Sequence, residues 1–69
     1  MAKDRKFGKR LRELRHAAEM TQATLARKSG LSLTAIRHFE QSRRLPSWTT
    51  VLMLGKALGK MPNDFLPAK

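Results

Sequence analysis

The sequence predicts an all-α protein of five short helices, and two kinds of observation lead to this prediction. Apolar residues recur at spacings of three and four in successive segments, which is the period of an amphipathic helix. Serine or threonine stands at the expected start of three segments, and glycine at the expected end of two: Thr21, Ser32 and Ser47, then Gly30 and Gly59. With 69 residues and no cysteine, the chain is expected to fold as one domain by packing alone.

The first predicted helix runs from Asp4 to Ala18 and has one apolar face. Its members are spaced four, three and four residues apart: Phe7, Leu11, Leu14 and Ala18. Basic side chains cover most of the remaining surface of this helix. Arg15 lies beside the apolar face, so its guanidinium group is expected to need a partner.

The second predicted helix and the turn after it lie near the middle of the chain. Thr21 is expected to cap a helix that ends near Lys28 or Ser29. Gly30 follows at once, where a residue with left-handed backbone completes a helix end without steric cost. The residues expected to point inward are Ala23, Leu25 and Ala26.

A third helix is predicted from Leu33 to Gln41, capped by Ser32. Two helix starts separated by a lone glycine form a helix-turn-helix pattern. The third helix is about 9 residues or 13 Å long, which suits the major groove of DNA, about 12 Å wide. Its inward face is predicted to hold Ala35, Ile36, Phe39 and Glu40, and its outward face Leu33, Thr34, Arg37, His38 and Gln41.

The segment from Ser42 to Pro46 is predicted to be a loop, because it lacks an apolar period and proline cannot continue a helix. A fourth helix, Trp48–Leu58, is expected to bury Val51, Leu52, Gly55 and Leu58. A short last helix is expected from Met61 to Leu66. Five further apolar residues exceed what one small core can hide: Trp48, Met53, Leu54, Met61 and Phe65. Either most of them pack beneath the last helix, or this region forms a homodimer interface.

Net charge points to a polyanionic partner. The chain has 15 Lys and Arg against 5 Asp and Glu, a formal charge of +10. Nucleic acid is the first candidate, ahead of an anionic membrane or an acidic protein. No apolar run approaches the ~20 residues of a membrane span, so a cytoplasmic protein is expected. His16 and His38 are too few soft ligands for a zinc site, and no metal or other cofactor is expected.

The pattern of residues resembles a known family. The residues concerned are Leu11-Arg12-Glu13-Leu14-Arg15, Thr21-Gln22, Leu25-Ala26, Gly30, Ile36, Glu40, Arg43-Arg44, Pro46 and Ala57-Leu58-Gly59. In this order they resemble the Cro and phage-repressor type of DNA-binding domain, the XRE-like helix-turn-helix family. The resemblance covers about residues 6–66. It implies a compact five-helix bundle, residues 1–69 as a single domain, and a third helix that lies in the major groove.

The resemblance also implies roles for individual residues. Base-reading or groove-facing positions fall on Ser32, Leu33, Thr34, Arg37 and His38, and phosphate contacts on Gln22, Arg43 and Arg44. Arg15 and Glu40 match a buried ion pair between the first and third helices. Leu33 departs from the family, which often has glutamine there, so the base preference at that position cannot be transferred. Ser42 departs as well, because glycine commonly follows the glutamate that ends the third helix.

The leading functional hypothesis is a sequence-specific transcriptional regulator, a repressor or small controller rather than an activator, that binds double-stranded DNA as a homodimer on a palindromic operator. The dimer interface is expected to include Trp48, Met61 and Phe65. A DNA-binding antitoxin is the alternative, and a basic membrane-binding helix is a third hypothesis. An enzyme is the weakest candidate, because the five acids are scattered and no catalytic set or Gly-rich phosphate loop is present. No small-molecule ligand is expected.

Overall fold

The computed structural model describes residues 5–65, and within that range every regular element is a helix. The elements are α1 (Arg5–Ala17), α2 (Gln22–Ser29), α3 (Leu33–Glu40), α4 (Trp48–Leu58) and a 3₁₀ helix (Pro62–Phe65). The prediction of an all-α fold with five helical segments is confirmed, although the last segment is 3₁₀ rather than α. The predicted first residue of helix 1, Asp4, and the predicted last residue of the fifth segment, Leu66, lie outside the described residues.

Helix α3 lies between α1 and α2. It packs against both α1 and α2, and α2 also packs against α4. The 3₁₀ helix contacts α1 and α4, where Phe65 stacks on Phe7 with ring centroids 5.6 Å apart. The buried apolar core consists of Leu11, Leu14, Leu25, Ala26, Ile36, Phe39, Leu54, Leu58 and Phe65. Because α3 is held from two sides, its inward face is fixed by the rest of the domain.

Three helix starts are fixed by the caps that the sequence predicts. Each side-chain oxygen accepts a hydrogen bond from the backbone N–H three residues on, at 3.0 Å for Thr21, 3.0 Å for Ser32 and 3.2 Å for Ser47. Such a bond satisfies one of the N–H groups that the first helical turn leaves without an intrahelical partner. The predicted caps of α2, α3 and α4 are therefore confirmed.

Each α-helix is followed by a residue with left-handed backbone. Gly30 (φ 81°) follows α2 and Gly59 (φ 71°) follows α4, as the sequence predicts. The corresponding residues after α1 and α3 are Glu19 (φ 58°) and Ser42 (φ 61°), which carry side chains. Left-handed backbone costs a residue other than glycine roughly 1–2 kcal/mol. The backbone is therefore strained at Glu19 and Ser42, and glycine at either position would relieve the strain.

Several predictions about burial are wrong. Ala18 and Ala23 are exposed, because α1 ends before Ala18 and α2 turns Ala23 outward. On α4, Leu54, Gly55 and Leu58 are buried, and Leu54 has none of its surface exposed. Leu52, by contrast, is 44% exposed. Leu54 completes the helical spacing of Val51, Gly55 and Leu58 better than Leu52 does.

Phe65 corrects the predicted dimer interface. Only 3% of its surface is exposed, and its ring packs on Phe7 inside the domain. The prediction that it contributes to a dimer surface is therefore wrong. Trp48 and Met61, by contrast, are 66% and 69% exposed.

Candidate DNA-binding surface

The outward face of α3 presents polar side chains to solvent. Thr34 and Arg37 are exposed, and so is Ser32 at the start of the helix. The Ser32 Oγ accepts from the N–H of Ala35, which leaves its own O–H able to donate to a second group. His38 is half-buried. Leu33 is also half-buried and packs against the core, so only part of the side chain that was predicted to point away can touch a ligand.

The N-terminus of α2 lies near the C-terminal end of α3 and carries Gln22 in its first turn. Gln22 is half-buried, and its Nε2 donates a hydrogen bond of 3.1 Å to Glu40 Oε1. The side chain predicted to meet a phosphate is thus already held from the inside by α3.

The loop after α3 begins with a regular helix end. The N–H of Ser42 donates to the carbonyl of Phe39 at 3.2 Å, and the N–H of Arg43 donates to the carbonyl of His38 at 2.8 Å. This pair of bonds is the Schellman arrangement, with Ser42 in the position that glycine usually occupies. The backbone of Arg43 is therefore fixed to the last turn of α3.

Arg43 and Arg44, the two predicted phosphate-binding arginines, are both exposed. The guanidinium carbon of Arg44 lies 5.8 Å from the centroid of the Phe39 ring, within the range of a cation–π contact. Arg43 is held through its backbone and Arg44 through its side chain, so the two cations lie next to the C-terminal end of α3.

A buried ion pair connects α1 to α3, as predicted. Arg15 Nε donates to Glu40 Oε2 at 2.6 Å, and Arg15 Nη2 donates to Glu40 Oε1 at 3.0 Å. Both residues are buried. A third bond, 2.9 Å from Arg15 Nη1 to the carbonyl of Met20, satisfies the guanidinium further. This two-pronged geometry is the strongest form of an arginine–carboxylate contact.

Comparisons with known proteins agree with this geometry. A family model described as "Helix-turn-helix domain" matches residues 6–64. The chain belongs to the helix-turn-helix family. Among solved structures, the restriction-modification controller protein C.AhdI from Aeromonas hydrophila is 41% identical, with a TM-score of 0.86 over 88% of this chain and 92% of that one.

A second similar structure is the P22 c2 repressor protein in complex with a synthetic operator. It is 33% identical, with a TM-score of 0.81 over 91% of this chain and 96% of that one. No curated protein sequence gives a significant match. Both structures are of the Cro and phage-repressor type, so the predicted membership in that group of helix-turn-helix proteins is confirmed.

Gly8 is a residue of this helix-turn-helix protein that the sequence reasoning missed. A Cβ atom at Gly8 would lie 2.5 Å from the carbonyl oxygen of Phe39 and 2.8 Å from that of Glu40. The first turns of α1 therefore lie directly on the C-terminal end of α3. A lone glycine inside an amphipathic helical pattern was the available sequence signal, because it lowers helix propensity without an evident local reason.

The helix-turn-helix protein also has a groove away from the outward face of α3. This groove of about 610 Å³, which the sequence did not predict, lies between α2 and α4 and is lined by Lys28, Ser29, Met53, Lys56 and Ala57. In the part of the chain that the structure describes, no helix has the length and apolarity needed to cross a membrane. Over the same residues, no group of three or more His, Asp and Glu side chains forms a candidate metal site.

Proposed function

We propose that this protein is a sequence-specific DNA-binding transcriptional regulator that places α3 in the major groove. The supporting observation is the exposed polar face of α3, together with Gln22 at the N-terminus of α2 and the exposed Arg43 and Arg44, all near the C-terminal end of α3. The formal charge of +10 and membership in the helix-turn-helix family agree with this role. One of the two similar structures holds a repressor on its operator.

Two classes of contact follow from the proposal. Gln22, Arg43 and Arg44 contact phosphates, which supplies affinity and register without reading sequence. Ser32, Leu33, Thr34, Arg37 and His38 face the bases and supply selectivity. Leu33 contributes only its exposed part, as an apolar contact to a thymine methyl group or as a barrier to water.

Selection of bound duplexes from a random pool tests the proposal directly. We expect one enriched sequence with two related half-sites about one helical turn, roughly 34 Å, apart. A pool that shows no enrichment, with equal affinity for all duplexes, would reject sequence-specific binding.

Single substitutions separate the two classes of contact. Arg43→Ala should weaken binding to all duplexes about equally and lower the slope of log K against log salt by about 1. Lys56→Ala, which removes one charge from the exposed side of α4, is the matched control and should have a smaller effect. Thr34→Ala and Arg37→Ala should instead change the ranking of selected sequences. If Arg43→Ala changed only the ranking, the assignment of roles would be reversed.

We also propose that the protein binds its site as a homodimer through α4 and the segment after it. Trp48 and Leu52 are one helical turn apart on α4, and Trp48 is 66% exposed. With exposed Leu45 and Met61, they are the large apolar side chains that lie in water among the residues that the structure describes. Dimerisation would cover this surface and bridge two half-sites.

Sedimentation with and without a selected duplex tests the dimer. Trp48→Glu should shift the protein toward monomer, whereas Thr49→Glu places the same charge in the same helical turn on a different face. Equal sedimentation of the two variants would show that this surface is not the interface. Capture of a different, specific protein by this surface would favour the antitoxin alternative instead.

Residues 6–64, which the family model spans, act together as one DNA-binding domain. The protein's place of action is the cytoplasm, and it needs neither a cofactor nor catalytic residues. Double-stranded DNA and a second copy of the chain are its partners.

A further inference from the structure

We infer that Glu40 is a positioning residue that aims the amide group of Gln22 at the DNA backbone. The inference rests on the proposed function and adds a role to a residue so far treated as purely structural. Its basis is the shared carboxylate: Glu40 Oε1 accepts both from Gln22 Nε2 at 3.1 Å and from Arg15 Nη2 at 3.0 Å. One buried carboxylate on α3 thus holds side chains from α1 and α2.

The chemistry of the amide makes this contact selective. A phosphate only accepts hydrogen bonds, so Gln22 can bind it through its NH₂ group and not through its carbonyl oxygen. Glu40 is likewise an acceptor, and it therefore fixes which end of the amide turns toward α3. The amide nitrogen carries two hydrogens, whose bonds diverge. One is used by Glu40, and the other remains for a phosphate oxygen at the N-terminus of α2.

Electrostatics permits this arrangement. A lone carboxylate near a phosphate would repel it, but Glu40 is neutralised by two bonds from Arg15. Arg15 Nη1 also bonds to the carbonyl of Met20, the residue before the N-cap Thr21. The same ion pair therefore holds both the Gln22 side chain and the backbone that leads into its helix.

Glu40 is expected to raise the affinity for DNA by holding the Gln22 side chain in place before binding. Ordering a flexible polar side chain on binding lowers affinity by about 3- to 10-fold, and a side chain already held in place avoids that loss. Gln22 without its carboxylate partner should still bind phosphate, but more weakly.

A double-mutant cycle separates positioning from mere stability. The variant Arg15→Met/Glu40→Met replaces the buried pair with apolar side chains, a change that often preserves the fold, and removes the acceptor that holds Gln22. We expect affinity for a selected duplex, measured on protein shown to be folded, to fall about 3- to 10-fold. In a Gln22→Ala background the same replacement should leave affinity unchanged, because no amide remains to be positioned.

The alternatives give different results. Equal losses of affinity with Gln22 present and in the Gln22→Ala background would overturn the inference, since the ion pair would then act through the fold or by direct contact. Unchanged affinity in the Arg15→Met/Glu40→Met variant would overturn it as well. A wild-type chain that binds no duplex would reject the proposed function and the inference together.

A measurement without DNA tests the geometry even if the apolar variant fails to fold. Gln41 is an exposed glutamine just after α3 and serves as the internal control. In the wild-type protein, NMR should show the side-chain amide protons of Gln22 exchanging with solvent several-fold more slowly than those of Gln41. Equal exchange rates would show that Glu40 does not hold Gln22, and would overturn the inference.

Discussion

Two arginine–glutamate pairs that involve α1 differ in burial, in the number of bonds and in the elements that they connect. Arg10 and Glu13 are neighbours on one exposed face of the helix, with 3.3 Å between Arg10 Nη1 and Glu13 Oε1, and 36% and 51% of their side chains exposed. Arg15 and Glu40 join two helices, are buried and form two bonds. Removing a partner from a buried pair leaves an uncompensated charge, whereas water replaces a partner lost at the surface. Burial thus decides which pair the fold depends on.

The largest expected effect belongs to Glu40→Ala. It leaves the Arg15 guanidinium buried without its carboxylate, which should cost about 3–5 kcal/mol. For a domain of this size that corresponds to a fall in melting temperature of about 12 °C or more, measurable by circular dichroism. A melting curve within a few degrees of the wild-type curve would contradict the importance assigned to the pair.

Arg15→Lys should have an intermediate effect. Lysine keeps the positive charge but lacks the planar fork that meets both Glu40 oxygens and the Met20 carbonyl. The loss of these bonds should lower the free energy of unfolding by about 1–3 kcal/mol, measured by urea denaturation. If the loss matched that of Glu40→Ala, the arrangement of donors and not the charge would account for the pair.

Ser42→Gly should act in the opposite direction and supply a background in which the other variants stay folded. Relief of the left-handed backbone, less the extra freedom of glycine in the unfolded chain, should stabilise the domain by about 0.5–1 kcal/mol. Gln41→Gly is the matched control. Gln41 has φ −89°, so glycine relieves nothing there and should destabilise. Stabilisation by both substitutions would show that strain at Ser42 is not the cause.

The smallest effect is expected for Glu13→Ala. An exposed pair three residues apart on a helix contributes at most about 0.5 kcal/mol, and salt screens it. Urea denaturation at low and high ionic strength should show a small difference between variant and wild type that shrinks further with salt. A cost above about 1 kcal/mol would mean that Glu13 makes a contact beyond its pair with Arg10.

Local signals in the sequence account for most of the fold. The caps at Thr21, Ser32 and Ser47 and the glycine ends of α2 and α4 depend on residues within one or two turns, and all were predicted. The prediction for α4 was wrong in detail, because it placed Leu52 in the buried stripe although Leu54 fits the spacing of Val51, Gly55 and Leu58 better. Phe65 was misplaced for a different reason, since its partner Phe7 is far away along the chain.

The candidate site was predicted less completely. The resemblance to the family supplied the Arg15–Glu40 pair, and the outward helical face supplied Thr34 and Arg37. The bond from Gln22 to Glu40 could not be predicted, because it depends on how α2 and α3 approach one another in space. The close contact at Gly8 was missed for a similar reason. Its nearest neighbours are backbone carbonyl oxygens of α3, and the spacing of side chains along the sequence does not predict where those oxygens lie.

Gly8 also limits which side chains the contact between α1 and α3 can accommodate. Every substitution of glycine adds a Cβ atom, and here that atom would meet two backbone oxygens and Ser42 Oγ, the last at 2.8 Å. A shorter residue at position 42 would remove the third conflict and leave the other two. Glycine at position 42 would therefore suit both its left-handed backbone and this contact, whereas any side chain at position 8 would displace the backbone of α3.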